Sequence, residues 1–471
     1  MNRPLLLVVL VIGACVPTVE PYPAPPSVAV ASPSTTRSPS PLAPAPAPAT
    51  TSLVNSGANP FPSSPFFPIP SALGPDAAAG TVVFNDRSGS WRYDGPANAL
   101  AVLSVAGLQP IDRHVVASQP VSLGFDAGLF DARSSRYLRT LPQETASYGS
   151  LSVSADGIRL AYVTAAKGLR IAFQQQFGSV DGRALARDRL FSATLISPSG
   201  RTIAATGPSF AEVDPAAAAT FGRGAGSARD VWLVDVEGGA ARQIYCSADP
   251  CQAGLRPGGH TLQLLSWSPD ERYLVVREPS LASGVDFDGT SLFALELQSG
   301  ALTELGVGQN FLSWRTWIGS HSLAYVVGLG REPAKRLRLW SPELGVREVT
   351  DANGVAMSPS FGVIDGKIYF VQVIGSASHL STLDPDTNAL RQVTSDPAWA
   401  EDAVRVSDDG KDLLVLRRHV ADGQLELWRM SRDGSDAHAL VRFSPPLSAA
   451  DAPQFGTYPS AYYFDRVGWS R

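Results

Sequence analysis

Trp267-Ser-Pro-Asp-Glu-Arg-Tyr-Leu-Val-Val276 decides the fold, because the chain repeats its plan. A turn of Ser, Pro, Asp and a fourth residue is followed by a short apolar, β-branched run. Related turns are Ser154-Ala-Asp-Gly157, Ser197-Pro-Ser-Gly200, Asp365-Gly366 and Ser407-Asp-Asp-Gly410. Pro pre-sets the first turn dihedral, Asp bonds the backbone and Gly accepts positive φ. Each turn therefore joins two antiparallel strands. A second half follows, as in Leu292 to Leu297, Gln298-Ser-Gly300 and Ala301 to Leu305, or in Arg347-Glu-Val-Thr350 and Arg391-Gln-Val-Thr394. Hairpin plus hairpin makes a four-stranded blade, and such a blade buries its faces only against neighbours.

The fourth turn residues lie at 157, 200, 271, 366 and 410. The steps of 43 and 44 residues match the ~40–45 of propeller blades. The step of 95 holds two units, with a degenerate turn near Gly319-Ser320. The step of 71 holds one unit plus an insertion over 207–230. Strand-like segments fill the body, among them Thr81 to Phe84, Arg159 to Val163, Val231 to Val236, Lys367 to Val371 and Asp412 to Leu416. Long helical periods are missing. Units near 80, 157, 200, 271, 320, 366 and 410 predict an all-β propeller of about seven four-stranded blades, within a range of six to eight. Residues 116–148 are the candidate eighth. Asp465-Arg-Val-Gly-Trp-Ser470 echoes Leu264-Leu-Ser-Trp-Ser268, so the C-terminal strand is expected to complete the first blade. That removes an open sheet edge.

The repeat resembles the TolB-type, WD-repeat-like propeller over most of residues 150–471. Glu271 departs from it by replacing the usual Gly, the fifth unit keeps little of it, and residues 80–148 diverge. The resemblance implies a propeller and, in function, protein–protein contact or scaffolding in a cell envelope.

The N-terminus adds a compartment. Arg3 precedes the apolar run Leu5 to Ile12, a signal-peptide layout too short to span a bilayer. Ile12-Gly-Ala-Cys15 resembles the bacterial lipobox, whose Cys thiol takes a diacylglycerol and becomes the mature N-terminus. Residues 1–14 then form the lipoprotein signal peptide and Cys15 the lipidation site. Residues 15–79 are rich in Pro, Ala, Ser and Thr, as in Ser32-Pro-Ser-Thr-Thr-Arg-Ser-Pro-Ser-Pro41. Pro blocks helix and sheet, so a disordered stalk with polyproline-II character is expected there. Its end turns apolar at Phe61, Phe66, Phe67 and Ile69, either docking on the body or staying a linker end. Residues 80–471 are assigned to the propeller, exported and facing the extracytoplasmic or extracellular side of a bacterial membrane.

Cysteine use fits export. With Cys15 taken by lipid, Cys246 and Cys251 remain, close in sequence, and suggest a local disulfide. Free thiols, or half a metal site with His260, are the alternatives. The net charge is −5 with mixed signs and no basic stripe, which argues against a nucleic-acid partner.

Catalytic patterns are missing: no Gly-x-Ser-x-Gly elbow, no His-Glu-x-x-His and no sialidase Asp-box. A peptidase of the prolyl oligopeptidase type needs an added hydrolase domain. Asp384-Pro-Asp-Thr-Asn388 alternates oxygen ligands but lacks the Gly and the bidentate Glu of a calcium loop, so it reads as a hairpin turn. Asp286-Phe-Asp-Gly289 is a similar fragment. His114, His260, His321, His379, His419 and His438 are scattered, each reading as a loop or surface residue. Most Trp residues sit on strands and read as packing between blades. Trp399 follows a blade's last strand, on a rim-lining loop, and is the candidate contact residue. No cofactor or metal is expected. The leading reading is a monomeric, non-enzymatic binding module held by its lipid and meeting an envelope or extracellular protein. The alternatives are capture of a polysaccharide or small ligand, and a glycan-active hydrolase with its site in the channel.

Overall fold

The computed structural model describes residues 70–470 apart from 87–88, 105–107, 111–114, 119–127, 132–136, 141–150, 155–158, 165–166, 174–181, 209–229, 248–250, 252–254, 256–257, 279–288, 309–313, 329–334, 350–355, 362–364, 375–376, 408 and 444–467. These residues lie within the compact unit Asn59–Arg471. Cys15 and Phe61 to Ile69 fall outside them.

The described residues form eight antiparallel sheets that follow one another along the chain. Blade 1 holds Thr81–Asp86, Gly89–Asp94 and Ala99–Ser104. Blade 2 holds Leu108–Pro110, Val115–Ser118, Gly128–Asp131 and Tyr137–Thr140. Blade 3 holds Leu151–Val153, Arg159–Val163, Leu169–Phe173 and Arg183–Leu185. Blade 4 holds Ala193–Ile196, Thr202–Gly207, Asp230–Asp235 and Ala241–Tyr245. Blade 5 holds Gln263–Trp267, Tyr273–Arg277, Thr290–Glu296 and Leu302–Gly308. Blade 6 holds Arg315–Ile318, Ser322–Val327, Arg336–Ser341 and Gly345–Glu348. Blade 7 holds Ala356–Phe361, Ile368–Ile374, Ala377–Leu383 and Leu390–Gln392. Blade 8 holds Trp399–Val406, Asp412–His419, Leu425–Ser431 and His438–Arg442. The described residues thus form eight blades, the upper end of the expected range. The segment 207–230 is the connection between paired strands of blade 4, since Gly207 stands opposite Asp230.

The repeated turn owes its strength to its Ser. In blades 3, 4, 5 and 8 the hydroxyls of Ser154, Ser197, Ser268 and Ser407 accept the amides of Arg159, Thr202, Tyr273 and Asp412, at 2.9, 3.3, 2.9 and 3.0 Å. The side chain thus closes the turn where the backbone alone would leave a donor open. Asp270 and Asp409 accept the Ser268 and Ser407 hydroxyl protons at 2.6 and 2.7 Å. Gly200, Gly366 and Gly410 take φ of 69, 70 and 66° at the fourth position.

First strands of successive blades touch one another for blades 3 to 5 and 6 to 8, as a wall around a channel requires. The core lies between blades, not within them. Ala161 and Ile171 of blade 3 pack on Ile203 and Trp232 of blade 4. Trp267 and Phe293 of blade 5 pack on Val231 of blade 4, and Tyr273 on Tyr325 and Trp340 of blade 6. Trp314 and Ala324 meet Phe370 of blade 7, and Tyr369 meets Val404 and Met430 of blade 8. Two indoles also bridge blades: Trp267 Nε1 donates to the Leu195 carbonyl at 2.9 Å and Trp317 Nε1 to Ser266 Oγ at 3.2 Å.

Gly468–Ser470 pairs with Val83 to Thr81 and completes blade 1, as its sequence echo predicts. Phe84 and Trp91 pack there on Leu414 and Leu427 of blade 8. Residues before blade 1 reinforce this seam. Ser71–Ala72 adds a fifth strand to blade 8 against Val441 and Arg442. Asp76, Asp412 and Asp436 all bind the buried Arg429 guanidinium. The Tyr93 hydroxyl donates to the Gly74 carbonyl at 2.5 Å. Among the described residues, no helix is long and apolar enough to cross a membrane.

Candidate functional site

The turns between first and second strands, and between third and fourth, lie on one face of the ring, here the lower face. The blade-to-blade connections lie on the upper face. Trp399 is the first residue of blade 8 after the connection from blade 7, so it sits at the upper rim beside the channel wall. It is half-buried.

Beneath it runs a row of alternating charge. Glu401, Arg417, Glu426 and Arg442 stand opposite one another across all four strands of blade 8. Arg417 Nε donates to Glu401 Oε1 at 3.1 Å, and Arg442 Nε to Glu426 Oε1 at 2.9 Å. His379 of blade 7 places Nδ1 3.3 Å from Glu401 Oε2. Glu401 is 0% exposed. Burial pushes its carboxyl up, and Arg417, Thr394 and His379 offset this only in part. The Arg417 guanidinium lies over two indoles, 5.2 Å from the Trp399 ring centre and 4.7 Å from that of Trp428. The two rings meet edge to face at 5.2 Å, and His419 tilts against Trp399 at 5.1 Å. Trp428 Nε1 donates to Glu426 Oε2 at 3.1 Å. Cation–π and edge contacts of this kind each contribute about 0.5–2 kcal/mol, more when water is excluded.

Asp402 is different. The register slips between Glu401 and Ala403, so Asp402 is the extra residue of a β-bulge. Bulges re-aim side chains next to functional sites. Arg418 Nε donates to Asp402 Oδ2 at 3.3 Å, while Oδ1 is buried without a hydrogen-bond partner among the described residues. Burial raises the Asp402 carboxyl to about 6, against the lowering effect of Arg418.

The other sequence candidates are placed elsewhere. Cys246 and Cys251 are bonded in the upper connection from blade 4 to blade 5. Buried Asp230 seats that loop by accepting the Ser247 amide and hydroxyl at 2.8 and 2.7 Å. Asp384 Oδ1 accepts the amides of Asp386 and Thr387, both at 3.0 Å, which makes 384–388 a hairpin turn. Asp286, Asp288 and His114 lie outside the described residues. His260 pairs with Glu278, His419 with Asp422 and His438 with Asp436. His321 joins Asp270 and Glu343 across blades 5 and 6. His379 departs from the surface reading: it is buried at the junction of blades 7 and 8 because Glu401 faces it. Among the described residues, no group of three His, Cys, Asp or Glu side chains is arranged to hold a metal ion.

No protein-family model and no curated protein sequence matches the chain. Among solved structures, the dihydro-heme d1 dehydrogenase NirN in complex with DHE is similar over 80% of this chain and 76% of its own, at 15% identity and a TM-score of 0.50. The likeness is one of fold. TolB from Acinetobacter baumannii is similar over 72% of this chain and 78% of its own, at 15% identity and a TM-score of 0.30. A prolyl endopeptidase is similar over 81% of this chain, at 12% identity and a TM-score of 0.45. The chain spans about half of that enzyme's length, 51%.

Proposed function

We propose that this chain is a lipid-anchored envelope protein whose eight-bladed ring is a non-enzymatic binding module, with the upper rim of blades 7 and 8 as a contact surface. The observation that supports this is the state of Glu401. A general acid or base must reach the proton it moves. Glu401 is fully buried, and both of its oxygens are engaged, by Arg417 and by His379. Its charge therefore holds Arg417 against the Trp399 and Trp428 rings. What reaches solvent above this row is the Trp399 ring, His419 and the exposed Val420. Half-exposed aromatic groups on a rigid base are the residues that anchor protein contacts.

Lipid on Cys15 would hold the ring on the outer side of a membrane, with residues 16–69 as its tether. Two or more acyl chains suffice for durable attachment. The partner is then an envelope or extracellular protein. Burial sets Asp402 aside as a general acid in the same way: it is 1% exposed, although its carboxyl is raised to about 6.

Crosslinking from intact cells, with the full chain beside a version that ends at residue 69, tests the first reading. One dominant protein captured only by the full chain supports it. Retention of cell-wall glycan without protein moves the reading to polysaccharide capture or hydrolysis. Replacing Cys15 by Ser should release the chain from the membrane fraction, and unchanged retention would refute the anchor.

A further inference from the structure

We propose that a cleft between blades 4 and 5 on the lower face binds a short acidic peptide segment. The cleft lies on the opposite face from the Trp399 rim, so either site can fail without the other. It encloses about 310 Å³, at the small end of ligand pockets, which run ~300–1,000 Å³.

Its floor is apolar and its mouth carries both charges. Trp267 and Leu297 form part of the floor. Arg242, on the outermost strand of blade 4, and Arg272, after the repeated turn of blade 5, line the mouth. Both are exposed, and neither guanidinium has a carboxylate partner among the described residues. Arg272 instead lies over its neighbour's ring, 5.4 Å from the Tyr273 centre. Glu271 and Glu296 also line it.

Glu271 stands where the sequence repeat departs from Gly. Its φ is 59°, beside 69, 70 and 66° for Gly200, Gly366 and Gly410. A left-handed backbone is costly for any residue with a Cβ, so the turn holds strain that a Gly would remove. Residues held in such strain cluster at ligand sites. The Glu271 side chain crosses the junction, and Oε1 accepts the Ser199 amide of blade 4 at 2.5 Å. It ties the two turns that frame the cleft and acts as a positioning residue.

The mixture of groups selects the ligand class. Two open guanidiniums call for a carboxylate, which Arg binds through paired N–H donors. A phosphate would set its larger charge against Glu271 and Glu296. An acidic peptide brings a carboxylate for the arginines, backbone N–H groups for the glutamates and an apolar side chain for the floor.

The test is calorimetric titration of the full chain with blocked tripeptides, acetyl-X-Glu-X-amide, with X as Leu, Phe or Ala. Their Gln counterparts are the controls. Saturable binding at up to millimolar peptide is expected for at least one Glu peptide, at least tenfold tighter than for its Gln counterpart. Arg242→Ala and Arg272→Ala should each weaken it about tenfold. Glu271→Gly, which restores the residue its sister turns carry, should keep the fold and also weaken binding, while Trp399→Ala should not change it. No saturable binding by any Glu peptide, or equal binding of Glu and Gln peptides, overturns the proposal. So does binding indifferent to both Arg substitutions.

Discussion

The upper junction of blades 7 and 8 and the lower junction of blades 4 and 5 use the same residue types to opposite ends. At the first, Glu401, Arg417 and His379 are buried and satisfy one another. At the second, Arg242 and Arg272 are exposed and line a cleft, their guanidiniums without a carboxylate partner among the described residues. Paired charge in a dry junction fixes geometry; open charge at a cleft mouth is left for something else to meet. The residue count of Arg and Glu is therefore no guide to a site in a propeller. Burial and partner decide.

Glu401→Ala gives the largest expected effect. It leaves the Arg417 guanidinium buried and short of its main acceptor, so stability should fall by about 3–5 kcal/mol. Denaturant unfolding checks this, and a loss under ~1 kcal/mol would mean that the row is wetter than drawn. Asp402 comes next. Its folded value of about 6 lies above that of an unfolded Asp, near 3.9. The cost of ionising it in the fold is complete above pH ~6 and gone below pH ~4, so its contribution to stability improves as pH falls across that window. The stability difference between wild type and Asp402→Asn should therefore shift by on the order of 3 kcal/mol toward wild type between pH 7 and pH 4. A flat difference over that range would contradict the buried, ionisable carboxyl.

The lower junction should respond weakly. Glu271→Gly exchanges relief of left-handed strain against loss of the bond to Ser199, and stability should stay within about 1 kcal/mol. Gly200→Ala, at the sister turn, should cost about 1–2 kcal/mol. A Cβ there meets Arg159 at 2.6 Å, and φ is 69°. Arg242→Ala should change stability by less than about 0.5 kcal/mol. A larger loss would show that Arg242 has a structural partner and would erase the contrast between the junctions.

Much of the ring was legible because the turn is chemical. Ser154, Ser197, Ser268 and Ser407 close their turns by their own side chains, so the letters persist from blade to blade. In blade 2 the letters between Pro110 and Val115 are Ile-Asp-Arg-His, without the Ser and Gly of the repeated turn, and the expected count was near seven for that reason. The closing strand was readable because Trp469-Ser470 echoes Trp267-Ser268. Trp399 was expected in a loop, but it opens the first strand of blade 8, because its pairing with His419 extends the ladder that far. The row beneath it was not legible. Glu401, Arg417, Glu426 and Arg442 lie at unequal spacings and become neighbours only through strand register. One signal was present: adjacent acids in Trp399-Ala-Glu-Asp-Ala and adjacent arginines ending Leu413 to Arg418 interrupt otherwise apolar strands. Buried charge inside a strand calls for an opposite partner on the next. His379 read as a surface residue for a like reason, since its partner comes from another blade.

The most direct test of the account is capture from intact cells by the Trp399→Ala chain, compared with wild type after both are shown to unfold alike. With the upper rim as the contact surface, the dominant crosslinked protein should be lost with the Trp399 ring while the fold persists. Undiminished capture by the Trp399→Ala chain would contradict it and remove the upper rim of blades 7 and 8 as the contact surface.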